Sequence, residues 1–315
     1  MTADPAALSM IAQARGTWLD PSTGRAIKQR ELLRTLAGYQ VVLLGETHTV
    51  YEIHRWQLHV ATMLHALHPK IAVGFEMFPR AKQDVLDEWV AGRHSTDTFL
   101  HAVDWPAVWG YDANLYLPLF HFCRQQRVKM LALNCRRPLV TRVGKEGWAA
   151  VPERERDGLT PAAEATPAYR QHLFEIMGGT AAAMQPKSQV KSAGDPALDR
   201  FIRAQQTWDR AFACNIARAL EQPDPPLVIG IIGSGHLRYG HGTPYQLSDL
   251  GIERVSVLLP TSDAEHDPRR IAGLADAIFR LDEVEPQAPM PPRMQAAMTA
   301  RRTDAPLQEE RSNPV

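Results

Sequence analysis

Acidic and imidazole side chains follow the apolar runs of this sequence, in positions from which they could hold a metal or transfer protons. The first apolar run leads into Glu46 and His48, the second contains Glu76 next to its end, and a later one is followed by His236. His48, Glu76 and His236 would suit a divalent metal such as zinc with an open coordination position. Alternatively, Glu46 or Glu76 could orient His48 as a general base. A third reading has Glu46 capping a helix N-terminus.

Five short apolar runs, partly β-branched, must position these side chains. They are nearly continuous rather than alternating, which is typical of strands covered on both faces of a sheet. Between the first two runs, apolar residues at helical spacing predict a helix that stops at His68-Pro69. This order predicts an α/β fold with a mainly parallel sheet flanked by helices. The runs are Tyr39–Glu46, Lys70–Met77, Val128–Asn134, Leu227–Gly233 and Arg254–Pro260.

Ligands of such sheets bind at the carboxyl ends of the parallel strands, so the residues that follow each run are expected to share one edge. The third run is followed by Arg136 and Arg137. The fourth is followed by a glycine-spaced loop, "GSGHLRYGHG", that carries Tyr239. The glycine spacing differs from the dinucleotide-binding fingerprint. His54, on the polar flank of the predicted helix, is expected to be solvated surface.

The overall composition excludes several classes of protein. The 315 residues carry 35 basic and 35 acidic side chains, which argues against general electrostatic binding of nucleic acid or anionic lipid. The three cysteines are widely spaced and give neither a metal pair nor a disulfide framework, so buried thiols are expected. The sequence predicts no transmembrane segment and no signal peptide at its start, and as written the protein is expected to be cytoplasmic.

The chain is predicted to form a single domain over residues 1–284. A helical subregion spans about 148–220 and contains a loop, Met177–Pro196, that is interpreted as either a mobile flap or a plain surface insertion. Residues 285–315 are rich in proline and short of large apolar residues, so this tail is expected to be disordered.

Several segments, taken together and in order, resemble the ChaN-like family of iron-regulated, haem-binding proteins in the Tiki superfamily. The resemblance spans roughly Val41 to Pro244. Many members of that family are lipoproteins, so a start upstream of Met1 would make this protein a membrane-anchored lipoprotein or a periplasmic protein. The segments are "LLGETHTVYEIHRWQ", "GFEMFPRAKQDVLDEWVAG", "VDWPAVWGYDANLYLPLFHFCRQQRVKMLALNCRRPLVTRVGKEG", "AQQTWDRAFACNIARAL" and "IIGSGHLRYGHGTP".

The resemblance implies a sheet like that of erythromycin esterases, with haem held at the interface of a homodimer. It implies that a tyrosine binds the iron, which in this sequence is Tyr239, with His241 as the competing ligand. Three arginines near the strand ends are then expected to receive the haem propionates: Arg238, Arg136 and Arg137. The wider superfamily includes metal-dependent proteases, whose ligands here would be His48, His236 and Glu76. Haem binding and metal-dependent hydrolysis therefore both remain open, beside a scaffold without activity.

Overall fold

An eight-stranded sheet forms the centre of the protein in the computed structural model, which describes residues 9–177 and 190–282. A separate pair of short strands lies beside it. In chain order the strands are β1 (Ile11–Ala12), β2 (Trp18–Asp20), β3 (Arg25–Ile27), β4 (Val41–Glu46), β5 (Ile71–Pro79), β6 (Lys129–Asn134), β7 (Leu227–Gly233), β8 (Val255–Thr261), β9 (Glu265–His266) and β10 (Ala277–Arg280).

Helices connect the strands and cover the sheet. In the described ranges they are α1 (Gln29–Leu36), α2 (Tyr51–Leu67), α3 (Gln83–Val90), α4 (Thr96–Val103), α5 (Trp105–Val108), α6 (Leu117–Gln126), α7 (Arg137–Glu146), α8 (Pro167–Ile176), α9 (Asp199–Leu220), α10 (Thr243–Asp249) and α11 (Pro268–Ile271). Short 3₁₀ turns add to these, among them Ser234–His236 and Arg238–Gly240.

The five strands predicted from apolar runs are contiguous and form one side of the sheet up to its β6 edge, in the order β8-β4-β7-β5-β6, and all of them are parallel. Every residue of β4 and of β7 is buried, as expected for strands covered on both faces. The predicted α/β fold with a mainly parallel sheet is therefore confirmed, and α2 ends at the predicted position, before Pro69.

The far edge of the sheet is antiparallel and was not predicted. β10 pairs in parallel with β8, and β2 then pairs antiparallel with both β10 and β3. These strands are three or four residues long, so they offer too few positions for an apolar run to be distinguished from a loop. The strand order is β3-β2-β10-β8-β4-β7-β5-β6.

Helices on the two faces of the sheet enclose separate apolar cores. On one face α2 and α6 pack together over side chains such as Trp56 and Phe120. On the other face the long helix α9 packs on β6 and α7, and contributes Phe212 and Ile216. The described part of the predicted helical subregion, residues 148–177 and 190–220, contains helices and turns but no strand. The three cysteines are buried.

Two sequence expectations concern residues beyond the described ranges. Residues 178–189, the larger part of the predicted loop, and residues 283–315, which include the predicted disordered tail, lie outside them. Among the helices that are described, none combines the length and the apolar character required to cross a bilayer.

Candidate functional site

Glu46, the last residue of β4, is the centre of a buried network of side chains. Its carboxylate is fully buried and accepts hydrogen bonds from the Tyr116 hydroxyl at 2.9 Å and from Gln57 Nε2 at 3.3 Å. His48 Nδ1 lies 2.6 Å from Glu46 Oε1, and His54 Nδ1 lies 3.6 Å from Oε2. Side chains therefore occupy both oxygens, and Glu46 orients His48 instead of capping the following helix.

Glu76, on strand β5, approaches the imidazole of His48. It lies within β5, as in the predicted run, and this strand continues past the predicted end at Met77 to Pro79. One carboxylate oxygen accepts a hydrogen bond from the Gly233 amide at 3.0 Å, and the other lies 3.4 Å from His48 Nδ1. A Cβ at Gly233 would be 3.2 Å from His48 Cε1, so the absence of a side chain there leaves room for the imidazole.

His236 is held by a different buried carboxylate. Its Nδ1 lies 2.8 Å from Oδ1 of Asp209, which is fully buried on α9. Asp209 also accepts hydrogen bonds from the Tyr169 hydroxyl at 2.5 Å and from Thr243 at 3.2 Å. A Cβ at Gly242 would be 2.7 Å from Asp209 Oδ1, so only glycine fits beside this pair.

A cavity of about 320 Å³ brings the predicted residues together at the carboxyl edge of the sheet. His48, Glu76 and His236 all line it, as the sequence led us to expect, and Arg137 lines it as well. Glu46 lies behind His48 and does not line the cavity. The remaining walls are mostly apolar and aromatic: Met77, Pro79, Ala107, Val108, Trp109, Asn134, Cys135, Trp208 and Phe212.

The pKa values of the site reflect these contacts. Burial opposes ionisation of Glu46, but the hydrogen bond with His48 and the nearby His54 and His48 charges lower the pKa of Glu46 to about 2. Burial also opposes protonation of His48, yet the bond to Glu46 and the charges of Glu76 and Glu46 raise the pKa of His48 to about 9. Burial, together with repulsion from Glu46, raises the pKa of Glu76. The site therefore holds an imidazolium between two carboxyl groups of different acidity.

We predict that Asp209→Asn lowers the stability of the protein and the pKa of His236. Burial alone lowers that pKa, and the Asp209 charge and hydrogen bond raise it above the ordinary value. Removing a charged partner from a buried network costs about 2–3 kcal/mol. Urea unfolding and an NMR titration of His236 measure both effects. Thr243→Val, which deletes only a hydroxyl donor, should cost about 1 kcal/mol. An Asp209→Asn protein with unchanged unfolding midpoint and titration would contradict the prediction.

A second cluster of aromatic and imidazole rings surrounds Tyr239. Tyr239 has left-handed backbone angles (φ 59°, ψ 15°), which are uncommon for a residue with a side chain. The side chain is 37% exposed, and its hydroxyl donates to the Arg270 carbonyl at 2.8 Å. The rings of His172 and His241 lie 5.4 and 5.7 Å from the Tyr239 ring. His172 Nε2 is buried and has no hydrogen-bond partner among the described residues.

Asp209 joins this cluster to the cavity. The Tyr169 hydroxyl donates to one oxygen of Asp209, while His236 bonds to the other. The Tyr169 ring in turn lies 6.0 Å from the ring of His241. Burial, His241 and Arg238 lower the pKa of His172, and burial lowers the pKa of His241. Both imidazoles beside Tyr239 therefore favour the neutral form.

The three predicted propionate-binding arginines lie in different environments. Arg238 is exposed on the turn beside Tyr239, close enough for its charge to act on His172. Arg136 is already paired, since its Nε donates to Asp157 Oδ1 at 2.6 Å. Arg137 lines the cavity of His48. Only Arg238 is therefore placed by these contacts next to the tyrosine.

The sequence did not identify most of the residues that support the site. His54 is buried, with Nδ1 3.1 Å from Gln57 Oε1, so the prediction that it is solvated surface is wrong. The spacing of His54 and Gln57 on one face of α2 was a signal that could have revealed their shared role. Tyr116, just before α6, and Asp209, on α9, are distant in sequence from the strand ends, and nothing in their local pattern indicates their contacts.

Comparison with known proteins identifies one matching family and several solved structures. The sequence profile of the family described as haem-binding uptake, Tiki superfamily, ChaN matches residues 32–247. The solved structure of ChaN of Campylobacter jejuni, described as binding haem cofacially, is 20% identical, with a TM-score of 0.65 over 83% of this chain and 95% of that chain. No curated protein matches the sequence.

Two further solved structures are more distant. A toxin effector domain from Vibrio vulnificus has a TM-score of 0.43 and 15% identity, over 76% of this chain and 37% of that chain. The erythromycin esterase EreC has a TM-score of 0.45 and 13% identity, over 78% of this chain and 76% of that chain.

Proposed function

Since the chain belongs to the haem-binding ChaN family of the Tiki superfamily, we propose that it binds haem and serves in haem or iron uptake or handling. The observation that carries this proposal is the exposed Tyr239, held on a strained turn among two neutral imidazoles. Phenolate oxygen is a hard ligand that favours ferric iron, and haem bound in this way suits storage or transfer.

The surroundings of Tyr239 fit a flat, largely apolar ligand. Ile176 and Met177 are 49% and 45% exposed, which is unusual for large apolar side chains. The Ile176 side chain reaches the loop that carries Tyr239, because a Cβ at Gly235 would be 3.9 Å from Ile176 Cδ1. The ring of His172, whose buried Nε2 has no hydrogen-bond partner among the described residues, lies 5.4 Å from the Tyr239 ring. In this proposal Tyr239 is the iron ligand, with His241 as its neighbour and competitor.

The haem propionates are proposed to meet the arginines. Arg238 is the best supported partner because it is exposed next to the tyrosine. Arg136 would have to leave Asp157, and Arg137 would bind a propionate only if that group reached the cavity of His48. We therefore rank Arg238 first for this role.

We further propose that the haem lies between two copies of the chain. ChaN of Campylobacter jejuni is described as binding haem cofacially, and an exposed apolar surface around Tyr239 would be covered in such a homodimer. Titration of the protein with hemin, followed in the Soret region, tests haem binding. Sedimentation velocity before and after hemin addition tests the dimer. A spectrum equal to that of free hemin would reject haem binding, whereas a haem-bound monomer would reject only the dimer.

A divalent metal site with hydrolytic activity is a second candidate function, favoured by one observation. Ligand atoms of Glu46, His48 and Glu76 all lie within 4.8 Å of one another, a spacing that one metal ion could bridge. His236, the third ligand expected from the sequence, lines the same cavity but is bound to Asp209. A metal held here would supply a Lewis acid and an activated water.

We predict that, if this metal site is real, Glu76→Gln lowers zinc affinity at least tenfold. The substitution keeps the size of the side chain and replaces a charged ligand by a neutral one. Competition with a chromophoric zinc chelator measures the affinity. Glu253→Gln, at an exposed position before β8, is the control. Equal zinc affinity in all three proteins would exclude Glu76 as a ligand.

A further inference from the structure

A second cavity of about 320 Å³ lies between α7 and α9, and it shares no lining residue with the cavity of His48. The side chains of α9 that line it recur at the spacing of one helical face, at positions 203, 206, 207 and 210. Helix α7 contributes Val143, and the segment that follows α7 supplies the other walls. The lining residues from that segment are Trp148, Leu159, Pro161, Ala162 and Glu164.

The polar side chains on the α9 wall are already bound within the protein. Gln206 Nε2 donates to the Ala163 carbonyl at 2.6 Å, and the Thr207 hydroxyl donates to the carbonyl of Arg203 at 2.7 Å. Arg203 itself donates to the Gly144 carbonyl from Nε and from Nη2, at 3.1 and 2.7 Å. Gly144 lies in the last turn of α7, and the negative end of that helix offsets the charge of the arginine.

The other two charged groups of the cavity are satisfied as well. Arg210 is buried, forms an ion pair with Asp249 and donates from Nε to the Thr160 hydroxyl at 2.9 Å. Glu164 is exposed, so water solvates its carboxylate. An ionised ligand would lose its own hydration in this cavity without gaining an uncompensated charge of the opposite sign, and that loss is costly. The cavity therefore favours an uncharged ligand.

Trp148 carries a buried hydrogen-bond donor that the protein leaves unused. Its indole Nε1 donates to no acceptor in the described part of the chain. The guanidinium of Arg156, which does not line the cavity, covers one face of the ring at 4.9 Å from its centre. The cavity therefore meets the other face or the edge of the indole. Buried N–H groups are rarely left without an acceptor, so this donor calls for one.

We propose that this cavity binds a small uncharged molecule with an apolar body and one hydrogen-bond acceptor, of the aryl ketone type. Its acceptor takes the hydrogen bond of the Trp148 indole, and its body packs against Val143, Leu159 and Pro161. A volume of about 320 Å³ is at the lower end of the range for ligand pockets, so the ligand is small. This binding activity is separate from the proposed haem site and does not depend on it.

Ligand-detected NMR titration of the full-length protein with three probes of similar size tests the proposal. Acetophenone has the ring and the acceptor, ethylbenzene has the ring alone, and benzoate adds a negative charge. Acetophenone should bind, ethylbenzene should bind about fivefold more weakly because it lacks one hydrogen bond, and benzoate should also bind more weakly than acetophenone. No binding of acetophenone at millimolar concentration, or equally tight binding of either other probe, would overturn the proposal.

Trp148→Phe is the matched protein variant, because it keeps an aromatic ring and removes the donor. It should lose the preference for acetophenone over ethylbenzene, while the thermal unfolding midpoint shows that the variant is folded. Trp56→Phe removes another buried indole donor without an acceptor, at a different cavity, and should bind like the wild type. Ala162→Trp fills the cavity and should abolish binding of both probes. A folded Trp148→Phe protein that keeps the full preference, or a folded Ala162→Trp protein that still binds acetophenone, would overturn the proposal.

Discussion

Tyr239→Phe is expected to lower the affinity for hemin by roughly 100-fold, about 2.7 kcal/mol. The substitution keeps the ring, and therefore its contacts with His172 and His241, and deletes only the oxygen that is proposed to bind iron. The hydroxyl is exposed and bonds to a single carbonyl, that of Arg270, so the folded structure should tolerate its loss. The charge-transfer band of tyrosinate-bound ferric haem should disappear, and hemin should pass to apo-myoglobin faster.

Two control variants distinguish ligation from packing. His241→Ala should weaken hemin binding less, because it removes a neighbour of the iron ligand and leaves the oxygen in place. Tyr39→Phe deletes a hydroxyl just before β4, at the opposite edge of the sheet, and should behave like the wild type. If Tyr239→Phe kept the wild-type spectrum while His241→Ala abolished it, His241 would be the iron ligand.

Glu46→Gln is expected to remove most of the pH dependence of stability at the His48 site. The pKa of His48 is raised from 6.5 to about 9, so its contribution is fully present below pH 6.5 and is lost as the pH rises through 9. For a shift of this size the wild type should lose about 3 kcal/mol of stability over that interval. Without the Glu46 charge the loss should be much smaller, with Glu76 supplying the remainder.

At low pH the same interaction makes stability depend on pH in the opposite direction. The pKa of Glu46 is lowered from 4.5 to about 2, so its contribution is present above pH 4.5 and is lost as the pH falls towards 2. Urea unfolding between pH 3 and pH 9.5, with chelator present, measures the loss of stability at both low and high pH. Glu253→Gln is the exposed control. A Glu46→Gln protein with the same pH profile as the wild type would show that Glu46 and His48 do not stabilise each other's charged forms.

The central sheet could be predicted from the sequence because its strands are buried on both faces. In β4 and β7 every position is buried and all but Glu46 are apolar or small, which is visible in the sequence as a nearly unbroken run. The strands β2 and β3 give no such run, since each has only three residues and β3, at the edge of the sheet, is mostly exposed. Their pairing depends on contacts with β10, which lies more than two hundred residues away in the chain.

The candidate site was predictable only where strand ends position it. His48, Glu76 and His236 follow or lie near the carboxyl ends of parallel strands, and the structure places all three around one cavity. Asp209 was missed because it lies on a long helix whose apolar pattern gives no sign of a buried carboxylate. The hydrogen-bond partners of the Glu46 carboxylate were also missed, because they depend on side-chain directions that local sequence spacing does not determine.

The position of β4 in the sheet has a consequence for how the protein folds. β4 lies between β7 and β8, so Val41 pairs with Val228 on one side and with Val255 on the other. Both neighbours leave the ribosome long after β4, which must remain unpaired along both edges during most of synthesis. Contacts this distant in sequence close slowly, so the pairing of β4 with β7 and β8 is expected to form late in folding. Until then β4, which is apolar or small at every position except Glu46, has both edges unpaired and is open to self-association.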